Sequence, residues 1–339
     1  LSDSSSIRVN ALYATQDSPV KVERYTTNLR VTPNSLLSER EAIPSERSNW
    51  EVGGDYELNL ANGQRFKLLA IANQNNNDSV RERFVLQDDN TEQKDLYLGN
   101  NNVTEEQIVR GSYTLSVFGE QSLEFGLERA QTTLDSSLTL GLVDEAGTPS
   151  EAVGGLVPQT VSNANSSVQE IRYEPFAIDN CPLSPTLSLE STLLYESSEI
   201  TQSGDSNNTR DFSFVKPKLD LRFNPSTNVQ LRGSVEKIVN QLSFADFVAV
   251  RDETDNDSDT LEGNVDLRQQ WQWRYTFNGE YRLPDDLGVL NAEFFYAQHE
   301  DVIDRLDSST SEDNLQSVNG NIGDGIEMGM NLSASVRAT

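Results

Sequence analysis

The residues of this chain with chemistry to offer are few. His299 is the single histidine, in Gln298-His299-Glu300-Asp301. An imidazole beside carboxylates is the pairing used in general base catalysis. No second histidine is present to build a metal cluster, and no nucleophile motif or glycine-rich phosphate loop accompanies it. The expectation is a residue at the outer end of a strand, and no enzymatic activity. Residues 252–259 read Asp-Glu-Thr-Asp-Asn-Asp-Ser-Asp. Clustered carboxylates suit a hard calcium ion, so Asp255, Asp257 and Asp259 are its candidate ligands. A regular calcium loop counted from Asp255 needs Gly at its sixth place and Glu at its twelfth, where Thr260 and Asp266 stand. The expectation is a solvated acidic loop, with no resident metal and no cofactor. Cys181 is the only cysteine, so no internal disulfide can form. A third group is ordered by alternation: Arg222, Arg232, Arg274, Glu280 and Arg282 are the candidates for a substrate path or a salt-bridge lattice on a wet wall.

Those charges need an element that presents them on one face. Residues 271–283 supply the pattern. Every odd position is apolar, aromatic or Gly, and every even position is polar or charged, which is a β-strand with one greasy and one wet face. Trp271 and Tyr281 are ten residues apart, about 33 Å of strand at ~3.3 Å per residue. Tilted by ~40°, they stand ~25 Å apart along a barrel axis, the height of a lipid-facing band between two aromatic girdles. Trp271, Trp273 and Tyr281 are the expected girdle residues. Leu219, Leu221 and Phe223 interleave with Lys218, Asp220 and Arg222, and 229–236 alternate likewise.

Alternating segments recur along all 339 residues, near 5–15, 20–30, 49–60, 64–86, 105–118, 122–134, 167–180, 186–199, 211–223, 228–238, 270–283, 288–303 and 325–338. That is about 13 strands. Residues 64–86 read as one long strand disturbed at Asn75-Asn76-Asn77, with an irregular hairpin as the alternative. Short turns, including Gln16-Asp17-Ser18-Pro19, Gly119-Glu120-Gln121 and 284–288, carry the Gly, Pro, Asn and Asp that tight reversals require. Long polar connections lie near 31–48, 87–104, 136–166, 201–210, 239–269 and 307–324. Turns at one rim and loops at the other are the outer-membrane barrel pattern. The fold class is therefore all-β, an antiparallel up-and-down transmembrane β-barrel. Apolar residues make up only 35 %, consistent with strands that are wet on one side. A two-sheet sandwich is the competing reading. The odd strand count, against the even numbers of bacterial barrels, suggests a partial barrel. The net charge of −28 argues against nucleic acid as a partner, and no apolar run is long enough for a transmembrane helix.

The segment Glu262-Gly263-Asn264-Val265-Asp266-Leu267-Arg268, followed by the Trp271 strand, resembles the Gly-Asn-x-Asp-Leu motif of TonB-dependent outer-membrane receptors. In that family it ends a long extracellular loop and leads into a descending strand rich in Trp and Tyr. Here Val265 stands where Pro is usual. Tyr173-Glu174-Pro175-Phe176-Ala177 and Leu183-Ser184-Pro185 resemble a receptor strand and turn. The likeness is good over 165–339 and weaker before it. It implies a barrel in the bacterial outer membrane, surrounded by lipid, for energy-coupled uptake of a scarce nutrient: an iron chelate, a vitamin or a saccharide. It also implies a TonB-type energy-coupling partner acting on a plug domain that 1–339, read as one partial barrel domain, does not contain. The alternative is a plugless surface or adhesive β protein binding glycans or partners.

Overall fold

The structure, a computed structural model, describes residues 4–60, 63–87, 89, 91–117, 119–248, 250–251, 260–261, 264, 266–309 and 317–337. The first strands are β1 (Ser5–Asp17), β2 (Val20–Asn28), β3 (Ser35–Ile43), β4 (Ser45–Asn59), β5 (Arg65–Leu86), β6 (Glu92–Ser116) and β7 (Ser122–Leu142). Next come β8 (Val157–Gln159), β9 (Asn165–Ser184), β10 (Leu187–Gly204), β11 (Asn208–Ser226) and β12 (Val229–Val239). The last are β13 (Val250–Arg251), β14 (Thr260–Leu261), β15 (Trp271–Arg282), β16 (Gly288–Asp307) and β17 (Ser317–Val336). Fifteen of these share one antiparallel sheet, and β13 pairs only with β14. Twelve form a continuous path in the order β1-β4-β5-β6-β7-β9-β10-β11-β12-β15-β16-β17.

Ser18-Pro19, which the sequence reads as a reversal, is a bend instead. β1 pairs with β4, not with β2, while β3 and β4 lie end to end along β5. The pairs β1–β2 and β3–β4 are thus two long strands, each bent at a proline, Pro19 or Pro44. Proline has no N–H for the ladder, and the Ser18 N–H donates to Ser45 O at 2.8 Å to hold the bend. Among the described residues the wall therefore has twelve crossings, close to the about 13 strands read from sequence.

Five connections at one rim are tight: 60–64, 117–121, 185–186, 227–228 and 283–287. Gly63 (φ 73°) and Gly119 (φ 58°) supply the left-handed backbone two of them need. At the opposite rim the connections 143–164 and 240–270 are long, as expected, but others are not. β5 to β6 turns within 87–91 and β10 to β11 within 205–207, because the strands run on well beyond their apolar parts. Outside hydrocarbon a strand keeps its hydrogen-bond ladder but no longer needs an apolar outer face, so the alternation fades while the strand persists. The Asn75-Asn76-Asn77 stretch is such a place: its register with both neighbours is unbroken.

The two faces separate cleanly. Tyr275 and Phe277 are 44 % and 50 % exposed on the outward face, while Arg274 and Thr276 turn inward. Tracing that face through the register gives one ring of aromatics, Trp50, Tyr173, Tyr195, Trp271 and Tyr296, and a second toward the tight turns, Tyr56, Tyr113, Phe125, Phe223 and Tyr281. Lys237 lies in the first ring with its Nζ 4.0 Å above the Trp271 ring, a cation–π contact. An apolar groove of about 530 Å³ between Leu231, Gly279, Leu290 and Leu332 opens on this outer face.

Beyond the bends, β2, β3, β5 and β6 form a charged projection. The buried Arg81 donates to Glu41 at 2.8 and 3.2 Å. Burial raises the Glu41 pKa, but Arg81 and Arg24 outweigh it and hold the carboxyl below its ordinary 4.5. A depressed carboxyl contributes stability above its unfolded pKa and loses it as pH falls through the folded value. Hydrogen exchange across β2 and β3 is therefore expected to accelerate as pH drops below about 4.5, relative to β9 and β10, and in Glu41→Gln this extra acid sensitivity should be gone. Equal acid sensitivity in wild type and variant refutes it.

Candidate functional site

On the inner face, equivalent positions of neighbouring strands form rows. The lowest of interest carries Leu69, Arg110, Glu128 and Glu174. It is a lattice of ions: Lys216 Nζ donates to Glu174 and Glu196, both at 2.6 Å, Arg110 pairs with Glu128 at 3.4 Å, and Arg172 bridges Glu128 and Glu174 at 3.6 and 3.5 Å. The row carrying Asn73, Glu106, Thr132 and Glu170 lies two steps outward. Beyond it come Asn75, Thr104, Leu134 and Val168, then Asn77, Asn102, Ser136 and Ser166.

The described residues of the connection 240–270 fold inward over these rows. Phe247, Val248 and Leu267 are fully buried against Leu134, Val168 and Ile200 of the wall. The Gln202 side-chain amide donates to Phe247 O at 3.0 Å, and Arg210 donates to Leu267 O. On the far side, Asn319 donates to the Asp246 carboxylate at 2.7 Å and Asn264 donates to Asn319 O at 2.9 Å. Asn321 accepts from the Arg268 N–H and donates to Arg268 O, both at 2.9 Å, as a strand neighbour would. One segment held by both β10–β11 and β17 from the same side requires a wall curled around it. Burial pushes the Asp246 carboxyl up, against the hydrogen bond from Asn319.

Between the segment 241–245 and the wall lies a cavity of about 400 Å³, within the usual range for small-molecule sites. Its wall side is Arg47, Asn75, Asn77, Asn102, Thr104, Glu106, Thr132, Leu134 and Glu170; its roof includes Leu242 and Phe244. Glu170 is only 5 % exposed. The buried atoms Glu170 Oε1, Asn102 Oδ1 and Ser136 Oγ have no hydrogen-bond partner, which is costly unless something else supplies one.

The residues singled out by sequence lie elsewhere on the inner face. Arg232 pairs with Asp220 at 2.6 Å. Arg282 pairs with Glu280 at 2.7 Å at the tight-turn rim. Arg274 stacks 4.4 Å from the Phe295 ring centre. Arg222 lines a cleft of about 280 Å³ with Glu190, Asp220 and Cys181, and makes no ion pair among the described residues. None of these lines the larger cavity. Trp271, Trp273 and Tyr281 share the outward face of β15. His299 lies between Gln270 (3.4 Å) and Glu327 (3.3 Å), and among the described residues no three His, Cys, Asp or Glu gather as a metal site. Asp255, Asp257 and Asp259, like Glu262, Gly263 and Val265 of the motif, lie outside the described residues. Sequence reading missed the asparagine rows; their only sequence signal is the repeat Asn75-Asn76-Asn77 and Asn100-Asn101-Asn102.

None of the curated proteins compared with the chain matches it in sequence. Among solved structures, the ferripyoverdine receptor of the outer membrane of Pseudomonas aeruginosa is similar at a TM-score of 0.63 and 13 % identity, over 100 % of this chain and 51 % of that one. The Serratia marcescens hemophore receptor HasR, solved with its hemophore HasA and heme, is similar at 0.55 and 10 % identity, over 98 % and 58 %. The copper transporter OprC is similar at 0.55 and 10 %, over 99 % and 59 %. The chain thus spans between half and three fifths of these proteins, and at such identities they speak to the fold. The model of the TonB-dependent receptor-like β-barrel matches residues 2–338. With its girdled wall and inward-folded loop, the chain belongs to the TonB-dependent receptor β-barrel family, proteins of the Gram-negative outer membrane.

Proposed function

We propose that this chain is the barrel part of a receptor that captures a small nutrient at the extracellular face and admits it through the lumen. A plug domain outside this sequence would close the lumen, and a TonB-type protein would supply the energy to rearrange it. The observation that carries the reading is the polar cavity between the inner wall and the inward-folded residues 241–245, with buried polar atoms unpaired at its surface. The ion lattice beneath it uses its cations on neighbouring carboxylates, which suits a fixed wall. The names of similar structures cover a siderophore, heme and copper, so the family bond leaves the ligand open.

The test is uptake by cells carrying the intact receptor. A panel of labelled nutrients should show at least one whose accumulation needs the receptor and stops when a protonophore collapses the inner-membrane gradient. Accumulation that survives the protonophore would point to a passive pore. A receptor deletion with no effect on any nutrient-limited growth condition would favour a surface-binding role.

A further inference from the structure

We propose that the ligand of the cavity is a neutral short saccharide rather than an anionic metal chelate. This rests on the receptor reading above and names the substrate class of that same site. The charge of the lining decides against an anion. Arg47 is the one cation among the described lining residues, against the carboxylates of Glu106 and Glu170. Other cations of the inner face are already engaged: Arg110, Arg172 and Lys216 by Glu128, Glu174 and Glu196, and Arg210, in the row of Glu170, by the Leu267 carbonyl. A desolvated anion brought beside two carboxylates and one arginine would be repelled more than paired. The whole chain, at −28, repels it on approach as well.

The rest of the lining suits hydroxyl groups. Asn75, Asn77 and Asn102 offer side-chain amides, each with two donors and an acceptor, and Thr104 and Thr132 offer hydroxyls. Vicinal sugar hydroxyls both donate and accept, so they can satisfy such groups in pairs. The orphaned acceptors fit the same partner: Glu170 Oε1 and Asn102 Oδ1 each lack a donor, and a sugar hydroxyl supplies one. Glu170 is a buried side chain of this lining, so its unpaired oxygen is a feature of the site rather than of the surface. Across the cavity, the Phe244 ring and Leu242 give the apolar patch on which the C–H face of a pyranose packs. A metal cation or polyamine would use Glu106, Glu170 and the amide oxygens, but would leave the amide N–H donors of Asn75, Asn77 and Asn102 without an acceptor.

The intact receptor, plug included and purified in detergent, is probed with an array of neutral oligosaccharides. Ferric citrate is the anionic probe and spermidine the cationic one, and positives are measured by calorimetry. The expected result is binding of a neutral oligosaccharide that added salt does not weaken. Asn75→Ala combined with Asn102→Ala should weaken it about tenfold or more, and Glu170→Gln only about threefold, since a glutamine still offers an acceptor. Thr104→Val, a near-isosteric change, should also weaken binding if the paired asparagine variant fails to fold. No array member bound, preference for ferric citrate, or spermidine binding abolished by Glu170→Gln each overturns the proposal. Energised uptake of another nutrient without saccharide binding sinks this inference alone; saccharide binding without energised uptake sinks the transport reading and keeps the site.

Discussion

A lysine at Phe277 is expected to cost the barrel about 2–4 kcal/mol, while the same lysine at the adjacent Thr276 costs less than about 0.5 kcal/mol. Phe277 is 50 % exposed on the outer face, near midway between Trp271 and Tyr281. A cation there must be carried into hydrocarbon or dragged toward an interface, with no partner in reach. Thr276 lies on the inner face opposite Ser234 and Phe295, beside Arg274 and Asn278, where water solvates an ammonium. The measurement is urea unfolding of the full receptor refolded into lipid vesicles, comparing Phe277→Lys with Thr276→Lys. Large and equal losses would mean that both faces are packed, as in a sandwich. Small losses at both would mean that both are wet. Only a wall between lipid and an aqueous lumen separates two neighbouring residues in this way.

That face assignment was legible in the sequence, because hydrocarbon imposes strict period-2 alternation and the Trp271 strand obeys it over its whole length. Where hydrocarbon ends, the signal ends too. β6 runs through Asn100-Asn101-Asn102 and β17 begins at Ser317, yet both stretches read as loop, since a solvated strand carries polar residues on both sides. Proline misled in the opposite way. Ser18-Pro19 has turn chemistry, and only the pairing of β1 with β4 shows that the chain runs on. The candidate site was hidden for a further reason. Its wall side is assembled from β4, β5, β6, β7 and β9, and which asparagine stands beside which threonine depends on register across four strand pairs. Charges drew attention to Arg222, Arg232, Arg274, Glu280 and Arg282, whereas half of the residues lining the cavity carry amides or hydroxyls, which no charge pattern marks.

The Asn264-x-Asp266-Leu267-Arg268 motif was legible as a family likeness, and its work in this chain is mechanical. Leu267→Ala is therefore expected to free the 240–270 segment from the lumen while leaving the barrel wall intact. Leu267 has no exposed surface and sits in the cluster with Phe247, Val248 and Val168. Truncating such a leucine costs about 2–5 kcal/mol, part of it for the cavity left behind. The segment's other described apolar anchors, Leu242, Phe247 and Val248, share this one cluster with Leu267, so the loss falls on local opening rather than on global unfolding. Asn321→Ala should act in the same direction but more weakly, by about 0.5–1.5 kcal/mol, since it removes two solvent-exposed bonds to the Arg268 backbone and one to the Asp301 carbonyl. Hydrogen exchange or limited proteolysis of the intact receptor should show faster exchange or cleavage within 240–270 in both variants, with β9, β10 and β11 unchanged and the same thermal resistance of the folded barrel. Because Leu242 and Phe244 roof the cavity, ligand affinity should fall together with protection. Protection that is unchanged in Leu267→Ala would show that the segment is not pinned there. A wall that melts with the segment would show that the lumenal cluster belongs to the core of the barrel rather than to a separable roof.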